Sequence, residues 1–384
     1  MQPERLGEAV VAAESALEAA VGLARRNPRL SVAVGVVVAL LVLAALWWYL
    51  RPSTVDRFRS ALADRDRITV LTHPNPDPDA MAAAMGVAAL AGAVGTDASV
   101  QYPGEIRHPE NRAFEAVLDC DFDRIESADE LDSEAVVLVD HNEPRGFGGA
   151  ETVEPYAVVD HHPGNGEGQA FTDVRPERGS CAGILAEYVE ECGYSNGVDG
   201  RDGPSLTPAL ATALLYGIQS DTTAFTRSCT PEEFDAAAYL FPAADSDSLD
   251  RIANPQIDNE TLEVKARAIE DRTIEGSFLL SHVGTVSNRD ALPVAAEELV
   301  RLEGVTAAVV AGEHEGTIHV SGRSRDDRVH MGKSLSRALD AIPEASAGGH
   351  ARMGGGQAPL SGGDGVAEPD ALRDRVFAAM NGKL

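Results

Sequence analysis

Lysine is almost missing from this chain. Of 32 basic residues set against 61 acidic ones, only Lys265, Lys333 and Lys383 are lysines. The net charge of -29 repels polyphosphate at long range, which excludes a binder of duplex nucleic acid that works by covering phosphates with Lys and Arg. A small nucleotide in a locally basic pocket is not excluded. Paired cysteines are also absent: Cys120, Cys181, Cys192 and Cys229 stand far apart with no CxxC string. This rules out a zinc knuckle and a dithiol redox motif, and leaves buried reduced thiols as the expectation. No internal repeat is present. The apolar share of 44% over 384 residues argues against pervasive disorder and allows two domains with an appendage.

Charge is missing altogether from residues 30–50, LSVAVGVVVALLVLAALWWYL. As a helix this run is long enough for a hydrocarbon core of ~30 Å. Trp47, Trp48 and Tyr49 stand at its end and Arg51 follows, the usual order at a membrane interface. The run is too long for a signal peptide, and no small-residue cleavage site follows. A transmembrane anchor within residues 1–52 is therefore expected. Arginines are balanced on its two sides, with Arg25, Arg26 and Arg29 before and Arg51, Arg57 and Arg59 after, so their count leaves orientation open. The Ala-rich stretch 4–26 reads as an amphipathic helix, lying on a membrane or pairing with a copy of itself in a homodimer.

From Asp56 onward, short β-branched runs alternate with helical patterns, which predicts an α/β domain with a parallel sheet over residues 53–255. Strands are expected at 68–72, 98–102, 135–139 and 156–159, and helices at 80–91, 180–192, 207–218 and 231–241. A charged, Ala-rich helix over 259–272 is expected to bridge, as a linker of 256–272, to a smaller α/β unit at 273–384. That unit shows strand patterns at 278–286, 306–312 and 317–321 and helical patterns at 293–302 and 331–342.

Four polar clusters end predicted elements: His73-Pro-Asn-Pro-Asp77-Pro-Asp79, Asp140-His141-Asn142, Asp160-His161-His162, and Gln219-Ser220-Asp221-Thr222-Thr223. Alone, each is more often a solvated turn or a cap. Together, at successive element ends of one α/β domain, they would converge beyond the carboxyl ends of the strands. Charge gathered there is costly unless paired or metal-bound. Imidazole and carboxylate ligands suit Mn²⁺, with Mg²⁺, Co²⁺ or Fe²⁺ as less favoured occupants.

The strings HPNPDPDA, LVDHN, VVDHH and GIQSDTTAF, in that order, resemble the four motifs of the DHH phosphoesterase superfamily. The resemblance implies a two-metal phosphoesterase. By it, His73 and Asp77 hold one Mn²⁺, Asp79, His161 and Asp221 hold the other, and Asp140 bridges both. Asp160 would then orient His161, and His162 would meet the phosphate as electrostatic stabiliser or general acid. His141 is open between metal ligand and hydrogen-bonding neighbour, because Asp-His-Asn-Glu also resembles manganese-dependent pyrophosphatases of that superfamily. His108, His282, His314, His319 and His330 have no such cluster around them.

In the smaller unit, Ser321-Gly322-Arg323-Ser324-Arg325 and Gly348-Gly349-His350 resemble the DHH-associated substrate-binding domain. This implies contacts from Arg323, Ser324, Gly348, Gly349 and His350 to a small nucleotide or short oligonucleotide. Glycines let the backbone approach a ligand, and a guanidinium takes phosphate bidentately. After His350 the chain runs Ala-Arg-Met-Gly-Gly-Gly, a departure from that domain's small-residue continuation. The functions to separate are hydrolysis of a cyclic dinucleotide, short oligonucleotide or pAp, a RecJ-like exonuclease, a pyrophosphatase, and an inactive nucleotide sensor. Nucleotides, manganese and unpaired thiols together place the expected catalytic domain on the cytoplasmic side of a cell-membrane anchor.

Overall fold

The computed structural model describes residues 37–43, 51–326, 328–360 and 369–383. The first layer begins with α1 (Thr54–Ala63), whose start is set by a capping box between Ser53 and Asp56. There follow β1 (Arg67–Leu71), α2 (Pro78–Ala93), β2 (Asp97–Pro103), α3 (Pro109–Leu118), β3 (Phe122–Ile125), β4 (Val136–Val139), β5 (Ala157–Asp160) and β6 (Phe171–Val174). These strands form one sheet in the order β3-β2-β1-β4-β5-β6, parallel at every pairing. The helices α4 (Cys181–Glu191), α5 (Pro208–Asp221), α6 (Pro231–Leu240) and α7 (Ser246–Ala253) complete this unit.

A parallel sheet is buried on both faces, and alternate residues of each strand go to different cores. Ile68, Val70, Val137, Val139, Ala157 and Val159 join a large cluster with α1, α2, α4 and α5. Leu71, Val136, Leu138 and Val158 join a small cluster on the other face. On the large face, α2 is almost wholly Ala, Gly and Met and is buried along most of its length. Such small side chains let α4 and α5 come close. A Cβ on Gly217 of α5 would lie 2.8 Å from Ala182 Cβ and 2.9 Å from Ala82 Cβ.

The second unit is also layered. Its sheet runs β11-β12-β10-β9-β8-β7, built from β7 (Arg272–Glu275), β8 (Phe278–Thr285), β9 (Ala307–His314), β10 (Thr317–Ser324), β11 (Ser346–Gly349) and β12 (Met353–Pro359). Only β8 and β9 pair in parallel. One face packs on α10 (Met331–Leu339) and α11 (Pro369–Met380). The other packs on α8 (Asn259–Glu270) and α9 (Ala291–Leu299). Val264 and Ala268 of α8 belong to this core, so the segment 256–272 packs as a layer of the second unit as well as leading into it.

The described part of the glycine-dense stretch 347–365, whose backbone is expected to approach a ligand closely, forms the hairpin β11–β12, with β12 paired to β10. Its glycines divide by face. A Cβ on Gly354 or Gly356 would press on Gly332 or Leu339 of α10, whereas Gly348 meets open space. The α/β architecture and the parallel sheet are as expected, but the transmembrane element requires correction. Of residues 30–50 only 37–43 are described, and they are helical. No helix among the described residues is long and apolar enough to cross a membrane. The single-pass membrane location with a cytoplasmic catalytic domain therefore loses its basis. The remainder of 30–50, and the stretch 4–26 expected to pair or lie on a membrane, fall outside the described residues.

The contact at Gly217 sets the first test. Gly217→Val should force α2, α4 and α5 apart and lower stability by about 2 kcal/mol, read from the midpoint of urea unfolding. An unchanged midpoint would mean that the three-helix contact is looser than described.

Candidate metal centre

The strand order reverses between β1 and β4, and the polar clusters stand at the carboxyl ends of these strands and of β5. That is the usual place for a site in an open parallel sheet. Asp77 caps α2: its Oδ1 accepts from the Asp79 and Ala80 amides, and Pro78 occupies the first turn. The loop back to β1 turns through Asn75, with φ 56°, and presents His73. That ring donates Nδ1–H to the Pro74 carbonyl at 3.0 Å. Its Nε2 lies 3.8 Å from Asp77 Oδ2 and 3.4 Å from Asp140 Oδ2.

Asp140 follows β4 in a left-handed conformation, φ 61°, which is uncommon for a residue with a side chain. Its carboxylate is 2% exposed. His161, just past β5, directs Nε2 at three carboxylates: Asp140 Oδ1 at 3.2 Å, Asp221 Oδ2 at 3.2 Å and Asp79 Oδ2 at 3.7 Å. Asp221 is the last residue of α5, and the chain leaves it through Thr223, Ala224 and Phe225, all left-handed. Asp79 is fully buried, and its two oxygens accept from the Cys181 and Ala182 amides at 2.7 and 2.8 Å. The N-terminus of α4, rich in unpaired N–H groups, thus holds an anion.

Two groups of ligand atoms result, His73–Asp77–Asp140 and Asp79–His161–Asp221, each within 4.8 Å, and a third contains Asp140, His161 and His162. Asp140 belongs to two of the three. Two buried atoms at the centre, Asp140 Oδ1 and His161 Nε2, face each other at 3.2 Å, yet neither makes a hydrogen bond of good geometry among the described residues. Polar atoms of this kind are rare in protein interiors and suit a further partner such as an ion. The donors, imidazole nitrogen and carboxylate oxygen, fit a hard or borderline divalent cation such as Mn²⁺.

Electrostatics without an ion show the same demand for positive charge. Burial opposes the charged form of His73, yet Asp140 and Asp77 push its pKa up to about 11. His161 is pushed up to about 12 against burial by Asp140 and Asp221. Asp79 is raised well above the carboxylate range by burial and by the neighbouring Asp140 and Asp221. Asp140 is held below that range despite burial, because His161 and His73 face it.

The structure assigns neighbours that the sequence left open. His141 is buried, donates Nδ1–H to the Val139 carbonyl at 2.9 Å, and lies outside all three ligand groups; burial lowers its pKa to about 4. Asp160 Oδ1 accepts from the His161 and His162 amides and from His162 Nδ1. The ring it orients is thus that of His162, while the His161 ring donates Nδ1–H to the Arg178 carbonyl at 3.2 Å. The His162 side chain is 51% exposed, and its hydrogen bond to Asp160 raises its pKa. Asn142 completes the set by donating to Asp160 Oδ2 at 2.6 Å. Its place two residues after Asp140 was the one available signal.

The expected substrate residues are dispersed. Gly348 lines a cavity of about 470 Å³ together with Arg107, Arg289, His319, Ser321 and Gly355. Gly349 and His350 sit at the β11–β12 turn and are exposed. Ser324 is buried and donates to the Asp326 carbonyl. Arg323 is bound to Glu297 of α9 at 2.7 Å, and His108 of the first unit approaches the same carboxylate at 3.5 Å. Arg107 and Arg289, which no motif marked, are the cations at the cavity.

Comparison with known proteins matches each unit to a family. Residues 67–218 match the DHH family, N-terminal domain, and residues 275–380 match the DHHA1 domain. An uncharacterized protein from Methanocaldococcus jannaschii is 37% identical over 318 residues, 83% of this chain and 63% of that protein. The cyclic-di-AMP phosphodiesterase GdpP of Geobacillus thermodenitrificans is 27% identical over 294 residues, 70% of this chain and 42% of its own length. The chain thus spans less than two thirds of these curated relatives. An exopolyphosphatase-related protein from Bacteroides fragilis shares the fold, with TM-score 0.66 and 15% identity, covering 85% of this chain and 97% of that one.

The raised pKa values of His73 and His161 give a test with a definite sign. Both rings carry a proton near neutral pH without metal, and a ligand must shed it. Binding of Mn²⁺ should expel protons from these rings, together with any held by Asp79, and weaken as pH falls, seen by calorimetry in buffers of different ionisation enthalpy. Heats independent of buffer would remove these histidines from the ligand set.

Proposed function

We propose, since this chain belongs to the DHH family and carries a DHHA1 domain behind it, that it is a metal-dependent phosphoesterase that hydrolyses small nucleotides. The observation that carries this reading is Asp140: one buried carboxylate shared between His73–Asp77 and His161, with an oxygen at the centre that accepts no hydrogen bond among the described residues. His73, Asp77 and Asp140 would hold one divalent cation, and Asp79, His161, Asp221 and Asp140 a second. Bound there, such ions would supply Lewis-acid polarisation of a phosphoryl group and a nucleophilic water at neutral pH.

The chain's own groups do the rest. His162, half exposed and tied through Nδ1 to Asp160, is placed to meet charge on the phosphoryl oxygens or to return a proton to the leaving oxygen. Asp160 maintains the charged imidazole, and Asn142 maintains Asp160. The cavity between Arg107 of the first unit and β10–β12 of the second would take the non-reacting part of the substrate. Two guanidinium groups suit a further phosphate, and the cross-strand pair Gly348–Gly355 leaves room for a flat ring. A cyclic or linear dinucleotide, a short oligonucleotide and pAp all have this form. Mn²⁺ is the preferred ion on donor chemistry.

Purified protein with Mn²⁺ should hydrolyse a cyclic dinucleotide, its linear product, pAp or a 5-mer, lose activity on chelation, and leave pyrophosphate untouched. Turnover of pyrophosphate alone would replace the reading with a pyrophosphatase, and no turnover would leave a binding protein. Asp140→Ala should abolish hydrolysis while the far-ultraviolet circular dichroism is retained. Arg107→Ala should raise KM for a dinucleotide about tenfold or more with little change in kcat. An equal loss in kcat would place Arg107 at the reacting phosphate instead.

A further inference from the structure

The metal centre leans on a segment that belongs to none of the four motifs. Residues 178–182 supply three of its contacts. The Arg178 carbonyl takes Nδ1–H of His161, which turns Nε2 toward Asp79, Asp140 and Asp221 and makes it the nitrogen that would face a bound ion once its proton is lost. The Cys181 and Ala182 amides hold both oxygens of Asp79. Whatever fixes this segment fixes the direction of two ligand groups.

That role falls to Glu233, 55 residues further on and fully buried. Glu233 is the third residue of α6 and closes a capping box with Thr230. The cap uses Oε2, which accepts from Thr230 N at 2.7 Å and Thr230 Oγ1 at 2.6 Å. A capping glutamate needs no more than this and normally stays in solvent. Here Oε1 turns inward and accepts from Gly179 N at 3.0 Å and Arg178 Nε at 3.1 Å. Arg178 is held from its other side by Glu187 at 2.8 Å, and Glu187 also binds Arg175. Gly179 makes the approach possible, because a Cβ there would lie 2.3 Å from the Ser228 carbonyl oxygen and 3.2 Å from Glu233 Cδ.

We propose that Glu233 is a positioning residue of the metal centre, acting through Arg178 and Gly179 to set His161 and Asp79 in ligand geometry. The proposal rests on the metal-centre reading above, and its test separates the two. The Mn²⁺ dissociation constant of the full chain is measured from the electron paramagnetic resonance of free Mn²⁺, alongside the melting temperature of the metal-free protein. The variants are Glu233→Gln, Arg178→Met, their double and Thr230→Val.

Glu233→Gln and Arg178→Met should each weaken Mn²⁺ binding about 10–100-fold, the usual effect of removing a group that orients a ligand. The double variant should bind no worse than the poorer single, because the two residues act as one unit. It leaves no unpaired buried charge and carries the test if a single variant fails to fold. Thr230→Val disturbs only the Oε2 half, so it should lower the melting temperature and leave Mn²⁺ affinity unchanged. Mn²⁺ affinity within about twofold of wild type in every folded variant overturns the proposal, whatever the melting temperatures. So does a loss in Thr230→Val equal to that in Glu233→Gln, which would mark a structural effect of α6. A wild-type chain that binds no Mn²⁺ overturns the metal centre itself, and this proposal with it.

Discussion

The Asp140 carboxylate is the constraint around which the first unit is arranged. A carboxylate with 2% exposure is tolerable only where positive charge and hydrogen bonds replace the lost water. His73 and His161 supply the charge, and they come from β1 and β5, the two neighbours of β4 on either side of the point where strand order reverses. The left-handed backbone at Asp140 stores strain that the parallel pairing of β4 with β1 and β5 holds in place. A cation would relieve the same site in one step, by meeting Asp140 Oδ1, which accepts no hydrogen bond among the described residues, and replacing protons on the imidazoles.

Around that centre the fold separates holding from exposure. Asp79 and His161 are tied to buried backbone groups of the 178–182 segment, whereas His162 is held through its ring by Asp160 and stays half open. This suits a group that works on an arriving ligand. The net charge of -29 opposes polyanions over the whole surface, and at the cavity beside β10–β12 Arg107 and Arg289 are brought together from different units, with Asp290 beside them. Local attraction set in general repulsion favours a short anion over a long one. Where the units meet, Glu297 is shared by Arg323 and His108. Burial works against its charge, yet His108 and Arg323 hold its carboxyl down at about 2. Arg323 is thus engaged within the protein.

Chemistry confined to a short stretch of chain was legible without coordinates. The loop from His73 to Asp79 carries its own cap in Asp77, and the strings at 140–142, 160–162 and 219–223 each end an apolar run, so their convergence followed from the α/β pattern. The strands β3, β6 and β7 are four residues each, and β11–β12 are largely glycine. None has a period of its own, and only pairing with a neighbour makes them strands. The apolar run at 30–50 shows the opposite error. Hydropathy there is strong, but no helix among the described residues is long and apolar enough to cross a membrane.

Residue types and their order by themselves determined the parallel α/β class, the four clusters and the kind of ion they suit, because ligand chemistry and strand-end placement are local properties. Tertiary structure alone decided which atoms meet. It moved Asp160 from the His161 ring to that of His162, kept His141 out of the ligand groups, and engaged Arg323 with Glu297 while setting Arg107 and Arg289 at the cavity. It also joined Glu233 to Arg178 across 55 residues. Such pairings depend on how helices and loops distant in sequence pack on the sheet, and no periodicity encodes that packing.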